Sequence, residues 1–206
     1  MGETLVDETR VWQLWADAYE IPRLTMFAVI GATIVQGGQH RTVFDRLGMT
    51  DWLERGVDVE AAYGGFRDED LYPDARRAVP ALVEAGYRVA IVANQPATRT
   101  AELRALGIEA EVMAMSDELG AYKPQPEFFA RSLELMGNPD PSDVVYVGDR
   151  VDNDVVASTA AGMRAVWIRR GPWGYLQVDH DRVAHAEIDS LDELVGCLPG
   201  VFEATS

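Results

Sequence analysis

The chain has 206 residues, 48% of them hydrophobic, with 34 Asp and Glu against 18 Lys and Arg. The net charge of −16 argues against a nucleic-acid partner, and the single cysteine, Cys197, excludes an internal disulfide or a cysteine-rich metal site. There is no 18-residue apolar run and no signal peptide, so the chain reads as cytoplasmic, free of membrane spans and able to bury a sizeable core.

The N-terminal third is helical and aromatic. A first helix carries Val11, Trp12, Leu14, Trp15, Ala18 and Tyr19 on one face, with Asp7 or Thr9 as its cap. Ile21-Pro22 breaks it. A second helix puts Leu24, Phe27, Ala28, Gly31, Ile34 and Val35 in register and stops at Gly37-Gly38; a third carries Val43, Phe44 and Leu47. After Phe66 strands and helices alternate. A helix spans 73–85 with Pro80 as a kink, then come a strand over 87–92, a helix over 97–106 and a strand over 111–115. A helix runs from Lys123-Pro-Gln-Pro126 to Met136, with strands at 144–147 and 164–168 on either side of an Ala-rich helix that stops at Gly162. Ser190-Leu-Asp-Glu193 has the capping-box pattern before a last helix. This grammar predicts an α/β fold, a doubly wound parallel sheet, behind a helical region that reaches to about Gly65.

Polar groups collect at three turns on the carboxyl edge of the predicted sheet, where open α/β folds bind ligands. They are Asn94-Gln95, Lys123, and the cluster Asp149, Asp152, Asn153 and Asp154. Helix starts favour carboxylates, which accounts for Asp152 or Asp154. It does not account for Gly148-Asp149 directly off a strand. Crowded oxygen ligands there suit a hard cation such as Mg²⁺. A lysine beside such a site suits the stabilisation of a phosphoryl group.

Three stretches carry a resemblance. Val89-Ala-Ile-Val-Ala-Asn94, Gly120-Ala-Tyr-Lys-Pro-Gln-Pro-Glu-Phe-Phe129 and Val145-Tyr-Val-Gly-Asp-Arg-Val-Asp-Asn-Asp154 resemble motifs two, three and four of the haloacid dehalogenase-like hydrolase superfamily in order and spacing. The resemblance implies a Rossmann-like core over 1–4 and 67–206 with a small helical cap over 5–66, Mg²⁺, and phosphoryl transfer from a small phosphorylated substrate through an aspartyl-phosphate. Lys123 would neutralise the nucleophile and the phosphate. Asp149 and Asp154 would ligate the metal, with Asn153 in support. Asn94 and Thr4 join Lys123 as implied catalytic residues, and Asn94, Gln95, Lys123 and Arg150 as implied substrate contacts.

Two positions depart from the family pattern. Ala93 stands where motif two presents Ser or Thr, which shifts phosphate binding onto Asn94 and the amides around Asn94-Gln95. Motif one, a strand followed by Asp-x-Asp-Gly-Thr-Leu, matches only Met1-Gly-Glu-Thr-Leu-Val-Asp7. The nucleophile would then immediately precede Met1. Gly2 would hold the second Asp position, offering its backbone carbonyl to the metal, and Glu3 is a substitute proton donor. The rival alignment on 27–32 puts Ala28 and Ile30 where both aspartates belong, in a segment that reads as a helix. A GUG codon inside motif one, read as a start, would produce this chain without its first strand. Neighbouring strands would then be unpaired, and another segment or a second copy in a homodimer should cover the gap. The expectation is a Mg²⁺-dependent phosphatase whose 206-residue form is inactive. The alternatives are a non-catalytic binding or regulatory member of the family, or a metal-independent dehalogenase-type hydrolase. A receiver domain fits less well, because no acidic pair precedes Lys123 after a first strand.

Overall fold

The computed structural model describes residues 1–203. A tight turn over residues 1–6 comes first, with Met1 O accepting from the amides of Leu5 and Val6 at 2.8 and 3.1 Å. Four helices follow: α1 (Thr9–Ala18), α2 (Arg23–Val35), α3 (His40–Arg46) and α4 (Trp52–Tyr63). Asp7 accepts the Thr9 amide at 2.7 Å and so meets one of the orphan donors of α1. These helices enclose an apolar cluster of their own, built on Trp12, Met26, Ile30, Val43, Phe44 and Met49 and completed by Trp173.

The alternating part is α5 (Ala75–Glu84), β1 (Ala90–Ala93), α6 (Thr98–Ala105), β2 (Val112–Met115), α7 (Ser116–Leu119), α8 (Pro126–Leu135), β3 (Val145–Gly148), α9 (Ala157–Ala160), β4 (Arg164–Ile168), α10 (Gly171–Leu176), β5 (Ala186–Ile188) and α11 (Leu194–Glu203). Every strand pair is parallel. β1 pairs with β2, with Ile91 opposite Met113, and β4 lies between β3 and β5. Among the described residues no ladder joins β1 to β3. An apolar cavity of about 390 Å³ lies between them, lined by Ile91 and Val92 on one side and Tyr146 and Val147 on the other, with Met1 and Leu5 also on its wall. The two pieces still share one core, in which Met1, Leu5, Val6, Ile91, Val147 and Ile168 pack together.

Several expectations need correction. Of the expected α2 stripe, Leu24, Phe27 and Val35 face outward at 82, 38 and 68% exposure; Ile34 is buried as expected, together with Met26, Ile30 and Thr33. This helix is apolar on almost every side, so periodicity cannot choose its face; packing against α1 and α10 does. The first strand starts at Ala90 rather than 87, and Pro80 remains inside α5. The segment after Asp149 is a π-helical turn over Val151–Val156 before α9, with the Val155 amide reaching Arg150 O at 3.1 Å. α10 and β5 complete the pattern. The capping box is present: Ser190 Oγ accepts the Asp192 amide at 3.2 Å and Glu193 accepts the Ser190 amide at 2.8 Å.

Candidate active site

The carboxyl ends of β1 and β3, the loop before α8 and the N-terminal turn converge on one buried spot. Lys123 Nζ lies 2.5 Å from Asp154 Oδ1, with side-chain exposures of 10 and 2%. The other Asp154 oxygen accepts the Arg150 amide at 3.0 Å. Gly148 is required for this geometry, because a Cβ there would run into the Asp154 carboxylate. Burial alone would lower the pKa of Lys123, but the Asp154 charge beside it and Tyr146 hold it above the ordinary lysine value. Lys123 is therefore a fixed cation.

Asp149 is buried at the same edge, and its backbone carbonyl accepts Trp167 Nε1 at 2.9 Å. Burial, and then the Asp154 charge, push its carboxyl well above the usual range, while the Met1 amine and Lys123 oppose the shift. The Met1 amine is itself lowered, first by burial and then by Lys123, and feels Asp154, Asp149 and Glu8. Position 1 thus brings the N-terminus to the lysine and the two carboxylates. Two buried carboxylates fit Mg²⁺, which is commonly held by one or two carboxylates together with waters and substrate phosphate oxygens. Like charges forced together in a buried place also lose repulsion when a cation enters. Among the described residues no cluster of three His, Cys, Asp or Glu side chains of metal-site geometry exists.

The other expected residues take different places. Asn94 clamps the backbone of Lys123: its Oδ1 accepts the Lys123 amide at 2.7 Å and its Nδ2 donates to the Lys123 carbonyl at 2.9 Å. Its amide is consumed there, so it positions the lysine and does not reach for a phosphate. Gln95 donates from its backbone to Ser116 Oγ at 3.1 Å and from Nε2 to Glu8 Oε1 at 3.4 Å. Ala93 is buried and adds no donor. Thr4 is buried beside Gly2, 3.5 Å from its carbonyl, and its own carbonyl is held by Arg170 at 2.8 Å.

Arg150 departs most from expectation. It pairs with Asp152 at 2.7 Å and donates to Gln39 Oε1 at 2.6 Å; His40 Nδ1 lies 3.4 Å away and the Trp173 ring 5.0 Å away. Asp152 is desolvated, yet Arg150, Gln177 and Gln39 hold its carboxyl down to about 2. Burial, then Arg150, lowers His40 to about 3, so its ring stays neutral. The side chain of Arg150 is spent on a clasp between the β3 edge and α3.

Two carboxyls of the N-terminal turn belong to the site as well. Glu3 accepts Tyr72 Oη at 2.5 Å and the Glu8 amide at 3.0 Å. Burial, then the Glu8 charge, raise it to about 7. Burial raises Glu8 too, against the Met1 amine and Arg150. Sequence reasoning did not find Glu8.

The chain is similar to known proteins in sequence and in fold. The family model described as haloacid dehalogenase-like hydrolase matches residues 3–162. A glyceraldehyde 3-phosphate phosphatase of Methanopyrus kandleri is 35% identical over 174 residues, covering 77% of this chain and 72% of that protein. The enzyme of the same name from Pyrococcus furiosus is 28% identical, covering 71% of this chain; the chain spans 62% of its length. Among solved structures, the HAD-hydrolase YfnB of Bacillus subtilis, bound to magnesium, superimposes with a TM-score of 0.66 at 20% identity over 96% of this chain and 95% of that one, a likeness of fold.

Proposed function

The chain belongs to the haloacid dehalogenase-like hydrolase family, and from that premise we propose that it derives from a Mg²⁺-dependent phosphatase acting on a small phosphorylated metabolite. The observation that carries this reading is the buried Lys123–Asp154 pair at 2.5 Å beside Asp149, with the N-terminus directed into the same spot. A fixed ammonium next to paired carboxylates is a site for a phosphoryl group and a hard cation, not for a neutral substrate. Relatives named as glyceraldehyde 3-phosphate phosphatase and phosphoserine phosphatase support a small, singly phosphorylated substrate.

In this reading Lys123 neutralises phosphate charge and Asn94 holds the lysine in place. Asp149, Asp154 and the Gly2 carbonyl would hold Mg²⁺, which when bound polarises the phosphoryl oxygens. Residues 5–66 act as a cap, latched to the core through Arg150, Gln39 and His40. The attacking carboxylate is carried by the residue that precedes position 1 in the gene product, on a strand filling the slot between β1 and β3. Support comes from that slot, from the unjoined strand edges and from the buried position of Met1. Without an in-line nucleophile, positioning and charge leave binding with little chemistry.

The experiment assays the 206-residue chain and an upstream-extended chain side by side, with Mg²⁺ and a panel of phosphate monoesters. The extended chain turns over, the short one does not, and Lys123→Ala abolishes the difference. Equal turnover in both, insensitive to Lys123→Ala, would remove the reading, and an in-frame stop codon directly upstream of Met1 would remove its N-terminal part.

A further inference from the structure

Position 2 is a glycine whose side-chain space is already taken. A Cβ built on Gly2 would overlap the Oε1 and Cδ atoms of Glu8. The carboxyl group of Glu8 therefore stands where the side chain of residue 2 would begin. The Glu8 backbone is held at its amide and its carbonyl, and the carboxyl itself has one long side-chain contact. The Glu8 amide donates to Glu3 Oε1 at 3.0 Å. Gln95 Nε2, from the end of β1, lies 3.4 Å from Glu8 Oε1. The Glu8 carbonyl accepts the Trp12 amide at 3.2 Å as α1 begins. The side-chain charges that face this carboxyl come from Arg150, Arg99 and Lys123, on three different segments.

From these positions we infer that Glu8 is the proton-transferring carboxyl of the site, in place of a side chain at residue 2. The inference rests on the phosphatase reading above. Glu3 does not compete for the role, because both its oxygens are engaged by Tyr72 and by the Glu8 amide. In the first step the attacking carboxylate oxygen forms a bond to phosphorus and the ester P–O bond breaks. The Glu8 proton passes to the departing alkoxide, which leaves as an alcohol. In the second step water attacks phosphorus and the acyl-phosphate P–O bond breaks. The Glu8 carboxylate takes a proton from that water, and the site returns to its starting state. Glu8 opens the first helix of the helical unit, so the proton donor is mounted on the part of the chain proposed to cover the substrate.

The test is made in the upstream-extended chain with two substrates. Glycerol phosphate needs a proton on its leaving group, whereas 4-nitrophenyl phosphate releases a stable phenolate. Glu8→Gln should slow glycerol phosphate hydrolysis by about 100-fold or more, the usual contribution of a general acid. The first-turnover burst of nitrophenolate should fall by less than ~10-fold. Gly2→Asp added to Glu8→Ala should restore part of the glycerol phosphate activity. Equal losses on both substrates, or no loss on either, would overturn the role. An extended chain that turns over neither substrate would defeat the phosphatase reading, and the placement of Glu8 is then judged in the 206-residue chain. There, Gly2→Ala should lower the melting temperature, and Glu8→Ala added to it should recover most of the loss. Two substitutions that simply add would overturn the placement.

Discussion

Replacing Glu3 by glutamine should change sign in its effect on stability between acid and neutral pH. The Glu3 carboxyl is 5% exposed, and burial together with the Glu8 charge raises it from 4.5 to about 7. A carboxyl whose pKa is raised by folding stabilises the fold fully below its unfolded value and loses that contribution as pH rises through the folded one. The window here is pH 4.5 to 7. A shift of that size is worth about 3 kcal/mol at ~1.4 kcal/mol per unit. Glutamine carries no charge, so it avoids this loss, but it can satisfy only one of the two donors, Tyr72 Oη and the Glu8 amide, at a cost of ~1 kcal/mol. Glu3→Gln should therefore destabilise by about 1 kcal/mol below pH 4.5 and stabilise by roughly 2 kcal/mol above pH 7. Urea unfolding of both proteins at several pH values measures the difference. A difference that stays flat from pH 4 to pH 8 would refute the buried, partly protonated Glu3.

Three further outcomes follow from the packing and charges. Asp154→Ala leaves the Lys123 ammonium buried without its partner and should cost about 3–5 kcal/mol in urea unfolding; a loss under ~1 kcal/mol would place the pair in solvent. Val35→Lys on the exposed face of α2 should change stability by no more than ~0.5 kcal/mol, whereas Met26→Ala should cost about 2–5 kcal/mol; the reverse order would mean the helix is turned the other way. Calorimetry of the 206-residue chain with Mg²⁺ should show weak binding that Asp149→Asn removes, since Asp149 and Asp154 are the two carboxylates proposed to hold the cation. Tight binding that survives Asp149→Asn would place the metal elsewhere.

Much of the architecture is legible because short apolar runs bounded by Gly and Asp mark parallel strands. The runs at 111–115, 144–147 and 164–168 became the strands Val112–Met115, Val145–Gly148 and Arg164–Ile168. β5 escaped because three residues, Ala186-Glu-Ile188, carry no periodicity. α10 opens with Gly171-Pro172, which reads as a turn, yet it buries Trp173 beneath the helical unit. At the site, Lys123, Asp149 and Asp154 come together as their spacing implied. Arg150 misled because it follows Asp149 directly, and neighbouring side chains at a strand end diverge, one toward the site and the other toward α3. Asn94 illustrates a second limit: sequence locates an amide at a strand end but not the backbone groups that will consume it. Glu8 lay outside every recognisable pattern, since its relation to Gly2 exists only once the N-terminal turn has folded.

The central claim is that the buried lysine and carboxylates serve a covalent phosphoryl transfer to a carboxylate just ahead of position 1. Acid quenching of the upstream-extended chain during turnover, followed by peptide mapping, tests it most directly. The account predicts a hydroxylamine-labile phosphoryl group on the peptide that ends at the N-terminal turn, absent after Lys123→Ala. Turnover with no phosphorylated peptide, or with the label on Asp149, Asp154 or Glu8, would contradict it.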